Sequence, residues 1–368
     1  MLSLAREASG LTQSALAQEA GVTQSTISKF EHDLIEDPDP DVLAACSRIL
    51  GVDSSYFYRQ EQRRGASVSF YRRRKSITTT ELRQLEAQLQ MLRLDVGKLM
   101  LAVNVKSDIR LPDLDPSEVS GGARECARRT RAAWMIPSGP IHNLIRQIEA
   151  AGILVIEIDW SAKFDAMSMR ASDGIPPIIF INIAMPTDRM RFTLAHELGH
   201  LVMHTIPTDE MEREADAFAS EFLAPSDEIK PALRNLKMTK LRALKTKWRI
   251  SMMALVKTAR SLETLTANQY RYMCTQLRKS PHFNDDVHIP TERPELFEKI
   301  ISFHREQLGY SLGDLARCLH LPQDVFCAKY GLEQVPRLVL VSEEAAPSIP
   351  AHVGKVVEFQ HMGASFQA

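Results

Sequence analysis

The chain has 368 residues, 44% of them hydrophobic and 25% charged, the composition of a folded protein long enough for two or three domains. Its 45 Lys and Arg against 46 Asp and Glu give a formal net charge of −1, which excludes bulk attraction to nucleic acid or membrane and requires any such binding to be local. Five scattered cysteines form no C-x-x-C pair and read as reduced core thiols, not as a disulfide framework or a zinc knuckle. Met1 to Gly10 lacks the basic start and apolar run of a signal peptide, and no apolar run reaches about 18 residues. A cytoplasmic chain without a membrane partner is expected.

Residues 1–58 read as a helical unit. In GLTQSALAQEAGVTQSTISKFEHD, Leu11, Leu16, Ala17, Ala20, Val22 and Ile27 fall at core spacing, and Gly21 marks a tight turn between helices begun by Thr12-Gln13 and Thr23-Gln24. The second helix offers Gln24, Ser25, Thr26, Ser28 and Lys29 outward. Such amides and hydroxyls can bond base edges and phosphates in a major groove. With Gln-Ser-Thr-Ile-Ser-Lys-Phe-Glu nearly intact, the segment resembles the XRE (Cro/C1-type) helix-turn-helix, and DPDPDVLAACSRILGV supplies its later helices. Two features depart from that pattern. Met1 falls where the first helix of the family usually begins or is already under way, which shortens it. Residues 1–58 also carry three basic side chains (Arg6, Lys29, Arg48) against nine acidic ones. Phosphate contact supplies most non-specific affinity, so an acidic module also suits a protein partner. Compensation is available from Arg59, Arg63, Arg64, Arg72, Arg73, Arg74 and Lys75, which face only Glu61; the plainer reading of that run is a solvated linker.

Thr79 to Val105 reads as one amphipathic helix, with Leu82, Leu85, Leu89, Leu92, Val96, Leu99 and Val103 at helical spacing. The stripe suits packing on the following domain or on a second copy, and a homodimer fits paired half-sites. Ile109 to Gly122 reads as a linker and Glu125 to Trp134 as a helix. After a further helix at Ile141 to Ala151, Ile153 to Ile158, the alternating Met167 and Met169, and Pro177 to Asn182 read as strands. The resemblance carried by the residues that follow implies that the last edges a cleft, where it can pair with an extended substrate backbone. Asn182 is either its end cap or a substrate contact.

The stretch RMRFTLAHELGHLVMH contains His196, Glu197 and His200 as H-E-x-x-H. On one helix the two histidines sit a turn apart on the same face and can both point at one Zn²⁺, while Glu197 can take a proton from a water that the ion has acidified to a pKa of roughly 7. EREADAFASEFLAP then begins a second helix near Met211 that stops at Pro225. Glu212 is assigned as the third ligand, with Glu214 competing for that role. Asp216 accepts the second ring proton of a ligand histidine, and Ala215 leaves room for helix contact. His204, one turn further on, is read as a rim or core residue outside the metal set. At these residues the chain resembles the ImmA/IrrE family of zinc-dependent endopeptidases, over roughly Ile141 to Ala232. The resemblance implies a small gluzincin-type domain whose members cleave, or promote cleavage of, a partner repressor.

Beyond Pro225 the chain is helical and basic around Lys230 to Arg260. His282, His288, Asp285 and Asp286 fit no trusted ligand spacing. GYSLGDLARCLHLPQDVF, from Gly309 to Phe326, resembles a degraded second helix-turn-helix suited to packing or to a partner rather than to DNA reading, and the tail after His361 reads as loose. The expected fold is mainly α with a small α+β domain: an N-terminal helix-turn-helix bundle (1–58), a basic linker and amphipathic helix (59–122), a gluzincin-like peptidase domain with a small sheet (123–278) and a helical C-terminal region (279–368). The expected function is a zinc metallopeptidase coupled to a DNA-binding module, a transcriptional regulator that cleaves a repressor or antitoxin-like protein. The alternative is a DNA-binding regulator without turnover, whose metal domain is a sensor or scaffold.

Overall fold

A computed structural model describes residues 1–35, 38–59, 69–73, 77–103, 105, 107, 109–160, 164–279, 289–330 and 332. The N-terminal unit is set by its caps. Thr12 and Thr23 accept the backbone N–H groups of Ala15 and Thr26 and start α2 (Gln13–Ala20) and α3 (Gln24–Glu31). Gly21 ends α2 at φ 72°, a left-handed cap that costs glycine nothing. Leu16, Ala17 and Ile27 are buried between these helices and α4 (Pro40–Leu50). The first helix, α1, spans Leu2–Ala8. Its support comes from α5 (Thr79–Met100), which packs Ala87 on Leu4 and Ala8 while Gln88 donates to the Ala8 carbonyl at 2.8 Å.

The apolar stripe of α5 is buried by its own chain. Leu85, Leu89, Val96 and Leu99 join a core shared with the N-terminal unit and one face of a sheet, so the stripe does not offer the face expected for a second copy. The sheet holds β1 (Ser69–Arg73), β2 (Leu154–Ile158), β3 (Phe164–Met169) and β4 (Ile178–Asn182) in the order β1-β3-β4-β2. β2 runs parallel to β4, while β3 is antiparallel to both β4 and β1. The strand expected at the cleft edge, β4, is therefore interior, because it pairs on both sides. Asn182 caps strand ends: its Nδ2 donates to Trp160 and Phe164 carbonyls and its Oδ1 accepts from Ala184 N–H. The outer edge of β3 is taken by β1, drawn from the segment read as a linker.

Because successive side chains of a strand point to opposite faces, the sheet divides two cores. Val155, Ala166, Ile179 and Ile181 enter one core with α6 (Gly122–Ala133), α7 (Leu144–Ala150), α8 (Thr187–Met203), α9 (Met211–Leu223) and the helices α10 (Ser226–Leu233), α11 (Met238–Trp248), α12 (Met252–Ser261) and α13 (Ala267–Lys279). Leu154, Ile156, Met167, Met169, Ile178 and Phe180 enter the other, with α5 and the N-terminal unit. The segment read as a linker before α6 is packed as well: Leu114 N–H donates to Val202 O, and Trp134 Nε1 donates to Arg110 O.

The C-terminal helices α14 (Leu296–Glu306), α15 (Leu312–Cys318) and α16 (Gln323–Lys329) close on the N-terminal unit. Leu315, Ala316, Leu319 and Phe326 lie in its core, Asp53 N–H donates to His320 O at 2.8 Å, and Ser55 Oγ meets His320 Nδ1 at 2.7 Å. This is the packing role expected of the second helix-turn-helix-like segment. Cys46, Cys126, Cys274 and Cys327 are buried, whereas Cys318 is exposed. His282, His288, Asp285, Asp286, Arg63, Arg64, Arg74, Lys75 and the tail after His361 lie outside the described residues.

One polar cluster ties these parts together. Asp95 of α5, 1% exposed, faces Arg59 Nη1 at 3.4 Å and accepts from Lys329 Nζ at 2.7 Å and from the Tyr330 hydroxyl at 2.8 Å. Arg59 is thus committed to a buried carboxylate and is not available to phosphates as the basic run suggests. Breaking a buried pair leaves a charge without compensation. Asp95→Ala should therefore cost about 3–5 kcal/mol in urea unfolding; a change within about 0.5 kcal/mol, the range of ordinary surface substitutions, would show that the cluster does not join the parts.

Candidate metal centre

α8 begins after Pro186, whose fixed φ suits a helix start, and runs through the core. It therefore buries not only Leu194, Ala195, Leu198, Leu201 and Val202 but also Arg191, His196, Glu197 and His200, with His204 buried at its cap. The helical spacing turns His196 and His200 to one side, their ring centroids 4.7 Å and their Nε2 atoms 3.1 Å apart. α9 crosses this face closely. A Cβ built on Gly199 would meet Phe218 Cδ1 at 3.1 Å and its Cβ and Cγ at 3.2 Å, so a side chain there would press Phe218 back by a few tenths of an ångström. Buried Ala215 lies on the same helix.

The crossing brings Glu212 to the two imidazoles. Its Oε2 lies 3.4 Å from His196 Nε2 and its Oε1 3.4 Å from His200 Nε2, and ligand atoms of all three residues lie within 4.8 Å of one another. Glu214, the competing candidate, points instead to His204 Nε2 at 3.1 Å. Asp216 Oδ1 lies 2.9 Å from His196 Nδ1, on the far side of that ring. Glu197, fully buried, accepts a 2.6 Å hydrogen bond from Ser168 Oγ of β3.

Electrostatics follow from burial and neighbours. Burial pushes His196 down, but hydrogen bonds with Asp216 and Glu212 and the charge of Glu197 outweigh it and raise the ring to about 9. Burial lowers His200 and keeps it neutral, the form that ligates. Burial raises Glu212, yet the imidazoles of His196 and His200 that face it at 3.4 Å hold the carboxyl well below its usual range. Two imidazoles and an ionised carboxylate converging from two helices could hold a metal ion, and catalytic zinc sites use three such protein ligands with a fourth position left open. Glu212 Oε1 is buried and accepts no hydrogen bond among the described residues, as befits an atom reserved for a cation.

Residues that the motif alone does not reveal complete the centre. Ser168 is legible only as a small polar residue between Met167 and Met169. Arg170 donates to the Leu201 and His204 carbonyls at 2.9 and 3.1 Å and satisfies the end of α8. Arg191 pairs with buried Glu292, which also accepts from Leu144 and Ile145 N–H at the start of α7. Beside Asp216 opens a cavity of about 1130 Å³, lined by Phe192 and Thr193 of α8, Ser220 of α9, and Met253 and Lys257 of α12.

In the N-terminal unit, α3 leaves Gln24, Ser25 and Lys29 exposed and Thr26 and Ser28 half-buried. Gln24 Nε2 donates to Gln13 Oε1 at 2.7 Å, and Gln13 Nε2 donates to Glu31 at 2.7 Å. Arg6 pairs with the same Glu31, which fixes the amides but commits one of the three basic residues of the unit.

Residues 148–260 match the family described as the IrrE N-terminal-like domain, and residues 2–57 match the family described as helix-turn-helix. The chain thus joins a helix-turn-helix domain of DNA-binding type to an IrrE-like domain of metallopeptidase type. No curated protein matches it. No helix among the described residues is long and apolar enough to cross a membrane.

The close crossing at Gly199 gives a direct test. Gly199→Ala overpacks α8 against α9, because the added methyl presses on Phe218 Cβ and its ring, which must give by a few tenths of an ångström. A loss of about 1–3 kcal/mol is expected in denaturant unfolding, together with weaker retention of metal as Glu212 is displaced. Unchanged stability would show that the crossing has slack.

Proposed function

We propose that the chain is a zinc-dependent endopeptidase coupled to a helix-turn-helix domain, a transcriptional regulator that cleaves a partner repressor or antitoxin-like protein. The observation that carries this reading is the meeting of His196, His200 and Glu212 beside a fully buried Glu197. A purely structural zinc site needs no base at that position. Zn²⁺ bound there would act as a Lewis acid and bring the pKa of water to about 7. Glu197 is the general base: it takes the proton of the attacking water and returns it to the amide nitrogen that leaves. Ser168 holds one oxygen of that carboxylate by its hydrogen bond. The cavity beside Asp216 accommodates substrate side chains, with Phe192 and Met253 as apolar walls and Lys257 as a cation. DNA is the second partner, met through Gln24, Ser25, Thr26, Ser28 and Lys29.

Elemental analysis should find one zinc per chain, lost in Glu212→Gln and retained in Glu214→Gln and Glu197→Gln. Substoichiometric zinc in the wild type would sink the peptidase reading. Glu197→Gln should then lower turnover by at least about 100-fold, read as new protein N-termini that appear in cells expressing the wild type and are missing with the variant. Zinc without any such termini would favour the sensor or scaffold.

For DNA, Gln24→Ala should weaken specific binding to the upstream region of its own gene by about 1–3 kcal/mol. Lys29→Ala should flatten the dependence of log affinity on log salt by about one unit. Binding indifferent to both changes would remove α3 from the interface.

A further inference from the structure

Glu214 is an acidic residue on the metal-binding helix that the metal does not use, and His204 is a buried imidazole one turn past the motif. The structure joins them. His200 Nδ1 lies 2.9 Å from His204 Nδ1, and His204 Nε2 lies 3.1 Å from Glu214 Oε2. We propose that His204 and Glu214 are positioning residues that fix the tautomer and orientation of His200 as a metal ligand. This rests on the metal reading above.

Proton bookkeeping gives the relay one direction. His200 Nε2 faces the point shared with His196 and Glu212, so in a ligand it carries a lone pair and its proton sits on Nδ1. That N–H donates to His204 Nδ1, which must then be bare. The proton of His204 is therefore on Nε2, and Glu214 accepts it. Each of the two bonds has one hydrogen, and the carboxylate at the end is acceptor only. Reversing either bond puts the proton on His200 Nε2 and blocks ligation.

Three further observations support a built arrangement. His200 is fully buried and His204 is 3% exposed, so bulk water does not offer an easy substitute partner. The His204 backbone is pinned at both ends: its N–H donates to His200 O at 3.0 Å and its carbonyl accepts from Arg170, which also bonds Asp113. His204 meets His200 at the nitrogen opposite the ligating one, which excludes it as a fourth ligand of the same ion. The two ligand histidines thus have unlike supports. His196 leans directly on Asp216, whose side chain is 50% exposed, whereas His200 is reached by a carboxylate acting through a second, buried imidazole.

The test is zinc affinity of the full chain, measured by competition with a chromophoric chelator. His204→Phe keeps the ring volume and removes both bonds; Glu214→Ala removes the final acceptor. Each should weaken zinc binding about 10–100-fold, the usual effect of losing such a support. Glu214→Gln, which retains an acceptor oxygen, should recover part of the loss. The double variant His204→Phe with Glu214→Ala should be no weaker than His204→Phe alone, because the carboxylate acts only through the ring. Wild-type affinity in both single variants, or losses that simply add, would overturn the relay while leaving the metal centre standing. No zinc binding by the wild type would instead overturn the metal reading on which the relay rests.

Discussion

The structure depends on one helix that buries polar groups where a core helix normally carries apolar ones. Along α8, Arg191, His196, Glu197 and His200 are almost completely enclosed, and His204 at its end is 3% exposed. A buried donor or acceptor without a partner costs about 1–3 kcal/mol, so several left unpaired would consume much of the roughly 5–15 kcal/mol by which a protein is stable. The surrounding elements are arranged to prevent this. α9 supplies Glu212, Glu214 and Asp216, β3 supplies Ser168 with Arg170 just beyond it, and Glu292 comes from the far side of the peptidase core. Folding of this domain and assembly of its chemical site are thus the same event.

β3 also shows how the two functional halves are built onto each other. Met167 and Met169 point into the core shared with α5 and the N-terminal unit, while Ser168 between them bonds Glu197. The strand that holds Glu197 is therefore the wall on which the helix-turn-helix unit rests. α5 completes that wall, supporting short α1 on one side and carrying Asp95 to Arg59, Lys329 and Tyr330. The DNA-binding unit is not a tethered module, and a displacement of β3 would move partners on both of its faces.

Much of this was readable from periodicity. The i, i+4 histidines, the second acidic helix, the capped helices around Gly21 and the alternating strands are local patterns, and local structure follows them. What spacing alone left open depended on contacts distant in sequence. Glu212 and Glu214 are two residues apart, and which one faces the imidazoles is set by the angle at which α9 crosses α8, fixed by the meeting of Gly199 and Phe218. The apolar stripe of α5 was evident, but the surface that covers it is the sheet, whose order no local signal encodes. β4 was expected at an edge from the resemblance to gluzincin-type peptidases; it lies inside because β2 and β3 pair on either side of it. Arg59 belongs to a run that looks solvated, and its burial follows from Asp95, 36 positions away.

The site that results is unequal on its two sides. Toward His204 it is closed, with buried rings and an α8 terminus fixed by Arg170. Toward Glu212 and Asp216 it is open, with side chains 47% and 50% exposed and a cavity of about 1130 Å³ beside Asp216. A closed side keeps the local dielectric low, which strengthens the hydrogen bonds that orient His200 and Glu197. The open side leaves Glu212 and Asp216 accessible without dismantling those bonds. Rigidity and access therefore fall on different elements, β3 and the end of α8 for the first, α9 and α12 for the second, so that a molecule entering from the α9 side would leave the Ser168 bond that orients Glu197 undisturbed.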